Sequence, residues 1–143
     1  MAKLLTILAG LAGCAIGGAA FAQSATPITN REVVGEWTLA ITPAERRGFS
    51  VSVESRDGGQ PDLPLTITAQ TGGPLTCVLR GDPAECRIED GELVVVMPTR
   101  SGGARMTFTL ADRTREGFSG AASVRIRLLP LGGHVGSVSM VRR

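Results

Sequence analysis

The sequence has no tyrosine, one tryptophan, one histidine, three cysteines and a single lysine, Lys3. So few imidazoles and thiols leave little from which to build a metal centre, since a closed structural zinc site takes four such ligands. No metal or other cofactor is expected. An excess of one charge is missing too. The 15 basic and 13 acidic residues leave a formal charge of +2, far from the basic surplus of a nucleic-acid binder, so no nucleic-acid partner is expected. Beyond residue 22 no stretch carries the 3.6-residue apolar stripe of a helix. The chain is nonetheless apolar enough, at 43% hydrophobic residues, to bury a core rather than remain disordered. Its 143 residues suit one domain.

The N-terminus reads as an address. Met1-Ala2-Lys3 is a short basic start, followed by an apolar run from Leu4 to Ala22 that ends Ala20-Phe21-Ala22 before polar Gln23-Ser24. This is the pattern of a secretory signal peptide over residues 1–22, with small residues at the cleavage site. A periplasmic or secreted location follows. Leu11-Ala12-Gly13-Cys14 offers an alternative, a lipobox that would anchor the chain as a lipoprotein through Cys14. Against it, the sequence stays apolar after Cys14 instead of turning into a polar tether. Without Lys3 the basic residues are all arginine, 14 of them, a usage that fits a GC-rich genome and makes each single Arg weak evidence for anion binding.

The rest of the chain alternates. Residues 23–31 are polar, carry Pro27 and read as a flexible N-terminal arm. From Glu32 onward apolar residues recur at every second position, the period of a half-buried strand. Val33, Gly35, Trp37, Leu39 and Ile41 share one parity; Phe49, Val51 and Val53 repeat the pattern, and so do Leu63, Leu65 and Ile67. Leu93 to Met97 is apolar on both parities, which predicts a strand covered on both faces. Turn chemistry separates the runs, most clearly Asp90-Gly91, a two-residue hairpin signal. About eight or nine short strands with short connections predict an all-β fold, an antiparallel up-and-down barrel over residues 32–143, with a β-sandwich as the alternative. Closure into a barrel removes the exposed edges that would otherwise seed aggregation. The outward parity is Thr, Ser, Arg and Glu, which excludes a membrane-embedded barrel with its apolar lipid face and aromatic girdles.

Cys77 and Cys86 are the cysteines left after residue 22, and in an oxidising compartment they predict a disulfide. Folding back around Gly81-Asp82 would set them opposite each other on the inner face.

Gly35-Glu36-Trp37 on the first predicted strand resembles the G-x-W motif of lipocalins and their calycin relatives. In that family the Trp closes one barrel end and an Arg near the C-terminus packs across it, a role the resemblance gives to Arg142. The chain departs from true lipocalins in being shorter, in lacking their second and third motifs and in having no C-terminal helix. It is also similar to small periplasmic calycin-like barrels that inhibit secreted metalloproteases through an N-terminal arm. That likeness implies such a role for residues 23–31.

Candidate chemistry is sparse. His134, between glycines in Gly132-Gly133-His134, is better read as a turn histidine than as a base. Ser50, Ser52, Ser119, Ser123, Ser137 and Ser139 fall on outward positions, and no G-x-S-x-G elbow is present. Glu89, Asp90 and Glu92 fit a charged hairpin tip, and Arg80-Gly81-Asp82 fits a turn that needs its Gly and Asp. Arg113 and Arg115, placed across a hairpin from Arg125 and Arg127, would join four guanidinium groups on one outer surface able to meet acidic glycans or lipid headgroups. Asp112 and Glu116 among them favour a solvated mixed face. No enzyme is expected. The leading expectation is an exported, monomeric, non-catalytic barrel that binds a small apolar ligand, in a cavity lined by Trp37, Leu39, Phe49, Ile67, Leu93, Phe108, Phe118 and Ile126. The alternative is a module that binds an envelope protein through the arm, as a protease inhibitor does. A membrane-spanning role is not expected.

Overall fold

A computed structural model describes residues 26–44, 62–98, 103–127 and 132–143. The expected strand around Phe49, together with Cys14 and the whole leader, lies outside these residues. A one-turn helix α1 (Asn30–Val33) precedes eight strands: β1 (Gly35–Pro43), β2 (Leu63–Ala69), β3 (Leu75–Leu79), β4 (Asp82–Glu89), β5 (Glu92–Pro98), β6 (Ala104–Arg113), β7 (Gly117–Ile126) and β8 (Gly132–Arg142). Each strand pairs antiparallel with the next, and β8 returns to β1, closing the sheet into an up-and-down barrel. The sandwich alternative therefore falls away. Closure satisfies the backbone groups of β1 and β8 that an open sheet would expose.

Alternation decides which side chain faces inward. The inner row of β1 is Trp37, Leu39 and Ile41, and that of β2 is Leu63, Leu65 and Ile67, each at most 4% exposed. Large residues sit beside small ones across the sheet. Phe108 lies between Val95 and Ala122, and Ala122 in turn faces Gly136. This interdigitation lets the middle of the barrel fill without voids. Leu39, Ile67, Leu93, Val95, Phe108, Leu110 and Met140 are all 0% exposed, so no water-sized space adjoins them. The both-parity reading of β5 holds as well: Val94 and Val96, on its outer side, are only 8% and 6% exposed.

Two hairpins are as tight as hairpins can be. Glu89 pairs with Glu92 across Asp90-Gly91, and Leu79 pairs with Asp82 across Arg80-Gly81. All four turn residues have positive φ, between 52° and 82°, the conformation of a type I′ turn whose twist matches the flanking strands. The second turn corrects one expectation. Centred on Arg80-Gly81 rather than Gly81-Asp82, it sets Ala84, not Cys86, opposite Cys77. The register slips by two residues, so the same faces remain inward. Cys77 and Cys86 become diagonal neighbours, 6.0 Å apart at Cα, and are joined by the disulfide.

Candidate functional site

Antiparallel pairing divides the connections between two ends. At one end lie the turns after β2, β4 and β6, the C-terminus and the segment leading into β1. This end is sealed. The expected flexible arm is held from residue 26 onward. Ile28 is 2% exposed, Val33 is fully buried, and the Ile28 amide donates to the Gly91 carbonyl at 2.8 Å. Pro27 presses so closely on the β4–β5 turn that a Cβ at Gly91 would meet its ring at 2.9 Å.

One ion pair pins this strap. Arg113, at the end of β6, donates to both Glu32 carboxylate oxygens from Nε and Nη2 at 2.8–3.1 Å. It also donates to the carbonyls of Thr26 and Pro27. The Glu32 carboxylate further accepts from the Thr29 amide at 2.8 Å and the Thr29 hydroxyl at 2.7 Å. The hydroxyl bond, then the Arg113 bonds, hold the Glu32 pKa down at about 2. Charge-assisted, forked contacts of this kind fix geometry as well as charge.

Beneath the strap, Trp37 closes the barrel floor. Its indole N–H donates to the Val33 carbonyl at 2.7 Å, and its ring meets Phe118 at 5.6 Å, tilted by 59°. The Arg142 guanidinium lies 4.8 Å above the Trp37 centroid and reaches the Val34 carbonyl at 3.4 Å. Gly35, at φ +143°, runs directly under this pair, and a Cβ there would lie 3.7 Å from both side chains. Gly35, Trp37 and Arg142 thus come together as one packing unit.

The opposite rim is different. Met97 pairs with Met106, Met106 with Val124, and Ala104 with Ile126; Met106 faces the core, so its directly paired neighbours face inward too. Yet Met97, Ala104, Val124 and Ile126 are only half-buried. On the β8 side Val124 faces Gly133, which has no side chain to cover it. A bulge at Val135 follows, where the β7–β8 register shifts, and the half-buried Val135 side chain packs against the core. Across the same rim Ile41, Leu63 and Leu79 are at most 4% exposed. The accessible interior at this rim is therefore an apolar wall on β5–β7. The small Ala84 and the disulfide-bonded Cys86, both half-buried, continue it onto β4.

The expected cavity residues separate accordingly. Trp37 and Phe118 belong to the sealed floor. Leu39, Ile67, Leu93 and Phe108 fill the middle, and Phe49 lies outside the described residues. Ile126 alone among the seven described ones has an inward side chain with appreciable exposure. The neighbours Met97, Ala104 and Val124 were missed as a group because β-pairing, not spacing along the chain, brings them together. His134 is exposed and pairs with Ser123 on the outer surface. The four-arginine surface does not form: Arg105 stands opposite Arg125, while Arg113 has gone to the strap at the other end. Among the described residues no group of three His, Cys, Asp or Glu side chains is placed to hold a metal, and no helix is long and apolar enough to cross a membrane.

Comparison of the chain with family models, with curated proteins and with solved structures finds no significant match.

Proposed function

We propose that the chain is an exported, non-catalytic, calycin-like barrel that takes a small apolar ligand at its β5–β7 rim. The observation that carries this reading is the half-buried inward wall of Met97, Ala104, Val124 and Ile126. Most of the remaining described interior is packed shut. Apolar side chains that face inward yet keep contact with water are stabilised by any guest that covers them, at roughly 25 cal/mol per Å² of area removed from water. The site is shallow, because the 0% exposed residues below it leave no room for a guest to descend. It suits a short acyl or small aromatic group better than a long chain. Export rests on the leader sequence, and the calycin-like relation on Gly35, Trp37 and Arg142.

The docking of residues 26–31 weighs against an inhibitory arm that includes them. Inserting that segment into a partner would strip Arg113 of its acceptors and expose Ile28.

A titration with the apolar fluorophore N-phenylnaphthylamine tests the proposal, comparing the native chain with Ile126→Asn. Saturable enhancement that the substitution abolishes, at an unchanged melting temperature, is the expected result. No enhancement in the native chain, or equal enhancement in both, overturns it.

A further inference from the structure

The same rim carries a cluster of positive charge. Arg105 and Arg125 stand directly opposite each other on the outer face of β6 and β7. Arg127 follows where β7 ends, its amide donating to the Gly103 carbonyl at 2.9 Å. All three side chains are exposed, and among the described residues none of the three has a side-chain hydrogen-bond or ion-pair partner. Like charges directly across a strand pair are destabilising, so their juxtaposition is an arrangement that a counter-charge would relieve. Near the rim the adjoining strands supply none; Glu92 of β5, the other neighbour of β6, lies at the strap end beside the β4–β5 turn. β7 and β8 contain no acidic residue, and β6 has none before Asp112, at the strap end. The connecting residues 99–102 and 128–131 contain none either. Among the described residues His134, on β8 beside Ser123, is a further titratable group on this face. The acidic residues Asp62, Asp82 and Glu85 belong to the β2–β4 side, separated from β6 by the whole of β5.

We propose that this rim docks the barrel onto an anionic phospholipid surface, with Arg105, Arg125 and Arg127 among the headgroup phosphates and the half-buried Met97 and Ile126 turned toward the acyl boundary. A soluble polyanion would match the arginines alone. A lipid surface matches the charge and the adjoining apolar wall together, because its phosphate layer lies directly above hydrocarbon. Guanidinium suits this role, since its planar donor fork fits phosphate oxygens and it is weakly hydrated. The inference is independent of a guest in the rim: the arginines lie on the outer face and would act whether or not a ligand is bound.

The test is flotation of the full chain with vesicles of phosphatidylcholine and phosphatidylglycerol in equal parts, against vesicles of phosphatidylcholine alone. Three versions are compared: native, R105Q/R125Q/R127Q, and the control R31Q/R115Q/R143Q, which removes the same charge from exposed arginines at the strap end. All three carry the same N-terminal apolar run, so differences among them report the barrel surface. The native chain and the control are expected to float with the anionic vesicles. The rim variant should bind on the order of a hundredfold more weakly, because three basic side chains no longer meet phosphate, and native binding should fall as salt is added. Equal weakening in both variants would reduce the effect to net charge and overturn the proposal. So would failure of the native chain to prefer anionic vesicles, or complete displacement by polyphosphate without any contribution from Ile126→Asn. Should the rim variant melt below the native chain, single R105Q and R127Q substitutions, each expected to weaken binding several-fold, replace it.

Discussion

Reduction of the Cys77–Cys86 disulfide is a perturbation whose size follows from the topology. The bond joins β3 to β4 across the Arg80-Gly81 turn, with a sequence separation of 9. In the chain-entropy account, closing a loop of about ten residues removes about 9 cal/mol/K from the unfolded chain, or about 2.7 kcal/mol at room temperature. The native side loses little, since β3 and β4 remain held by β2 and β5. An unfolding entropy of about 2.1 cal/mol/K per residue, taken over the 118 residues from Thr26 to Arg143, gives about 0.25 kcal/mol/K. The melting temperature should therefore fall by about 11 °C on reduction. Circular dichroism of oxidised and reduced protein, with free thiols counted in each, measures this directly. A shift of less than about 3 °C, with both thiols shown to be free, would refute the reasoning. It would mean that the unfolded chain already holds this hairpin together, so that the bond constrains nothing further.

Other consequences concern the sealed end and the packed middle. Gly91→Ala meets two obstacles at once, the positive φ of the turn and the Pro27 ring; a loss of about 1–3 kcal/mol in denaturant unfolding is expected. Phe108→Ala should cost about 3–5 kcal/mol, because its neighbours Val95 and Ala122 are themselves locked in the sheet and cannot collapse into the gap. Arg142→Ala removes a cation–π contact and should cost about 0.5–1 kcal/mol while shifting the emission of the single tryptophan. Glu32 gives a pH signature. Its pKa of about 2 lies below the ordinary carboxylate value of 4.5, so the strap's contribution is fully present above the higher value and is lost as pH falls through the lower one. Carboxyl-carbon NMR should find the Glu32 midpoint near 2 in the native chain, and Arg113→Gln should move it up toward 4.5.

The barrel was legible because its information is local. Period-2 alternation in Thr38–Ile41, Leu63–Ile67 and Met106–Leu110 needs no partner strand to be read, and Asp90-Gly91 announces its own turn. The Cys77–Cys86 pairing was legible for the same reason, although its diagonal geometry was not. Arg80 takes a positive φ that non-glycine residues rarely adopt, and the sequence offered Gly81-Asp82 as the easier centre. What escaped the sequence is long-range. Residues 26–31 look like any polar terminus, and only Arg113, more than eighty positions away, makes them a strap. The arginines misled in the same manner. Arg113 and Arg125 are close along the chain, but the β6–β7 hairpin carries them to opposite ends of the barrel, and the neighbour that Arg125 acquires is Arg105.

That separation of ends bears on function. A filled eight-stranded barrel has two places where its interior can meet a ligand, and here one is occupied by the chain itself. The Val33 carbonyl holds the Trp37 indole, Arg142 lies across the same ring, and Ile28 is buried against the β4–β5 turn. Opening this end would break the Glu32–Arg113 pair and the Ile28–Gly91 bond together. Any guest is therefore directed to the β5–β7 rim, where opening has no comparable cost because Met97, Val124 and Ile126 already keep accessible surface. Arg105, Arg125 and Arg127 stand at that rim and not at the floor. An apolar guest collected from a membrane would meet the barrel at the face best suited to approach that membrane. The triple arginine variant should then separate docking from capture. It slows transfer of an apolar probe from anionic vesicles and leaves capture of the same probe from solution unchanged, whereas Ile126→Asn, at a position shared by the guest wall and the docking rim, weakens both.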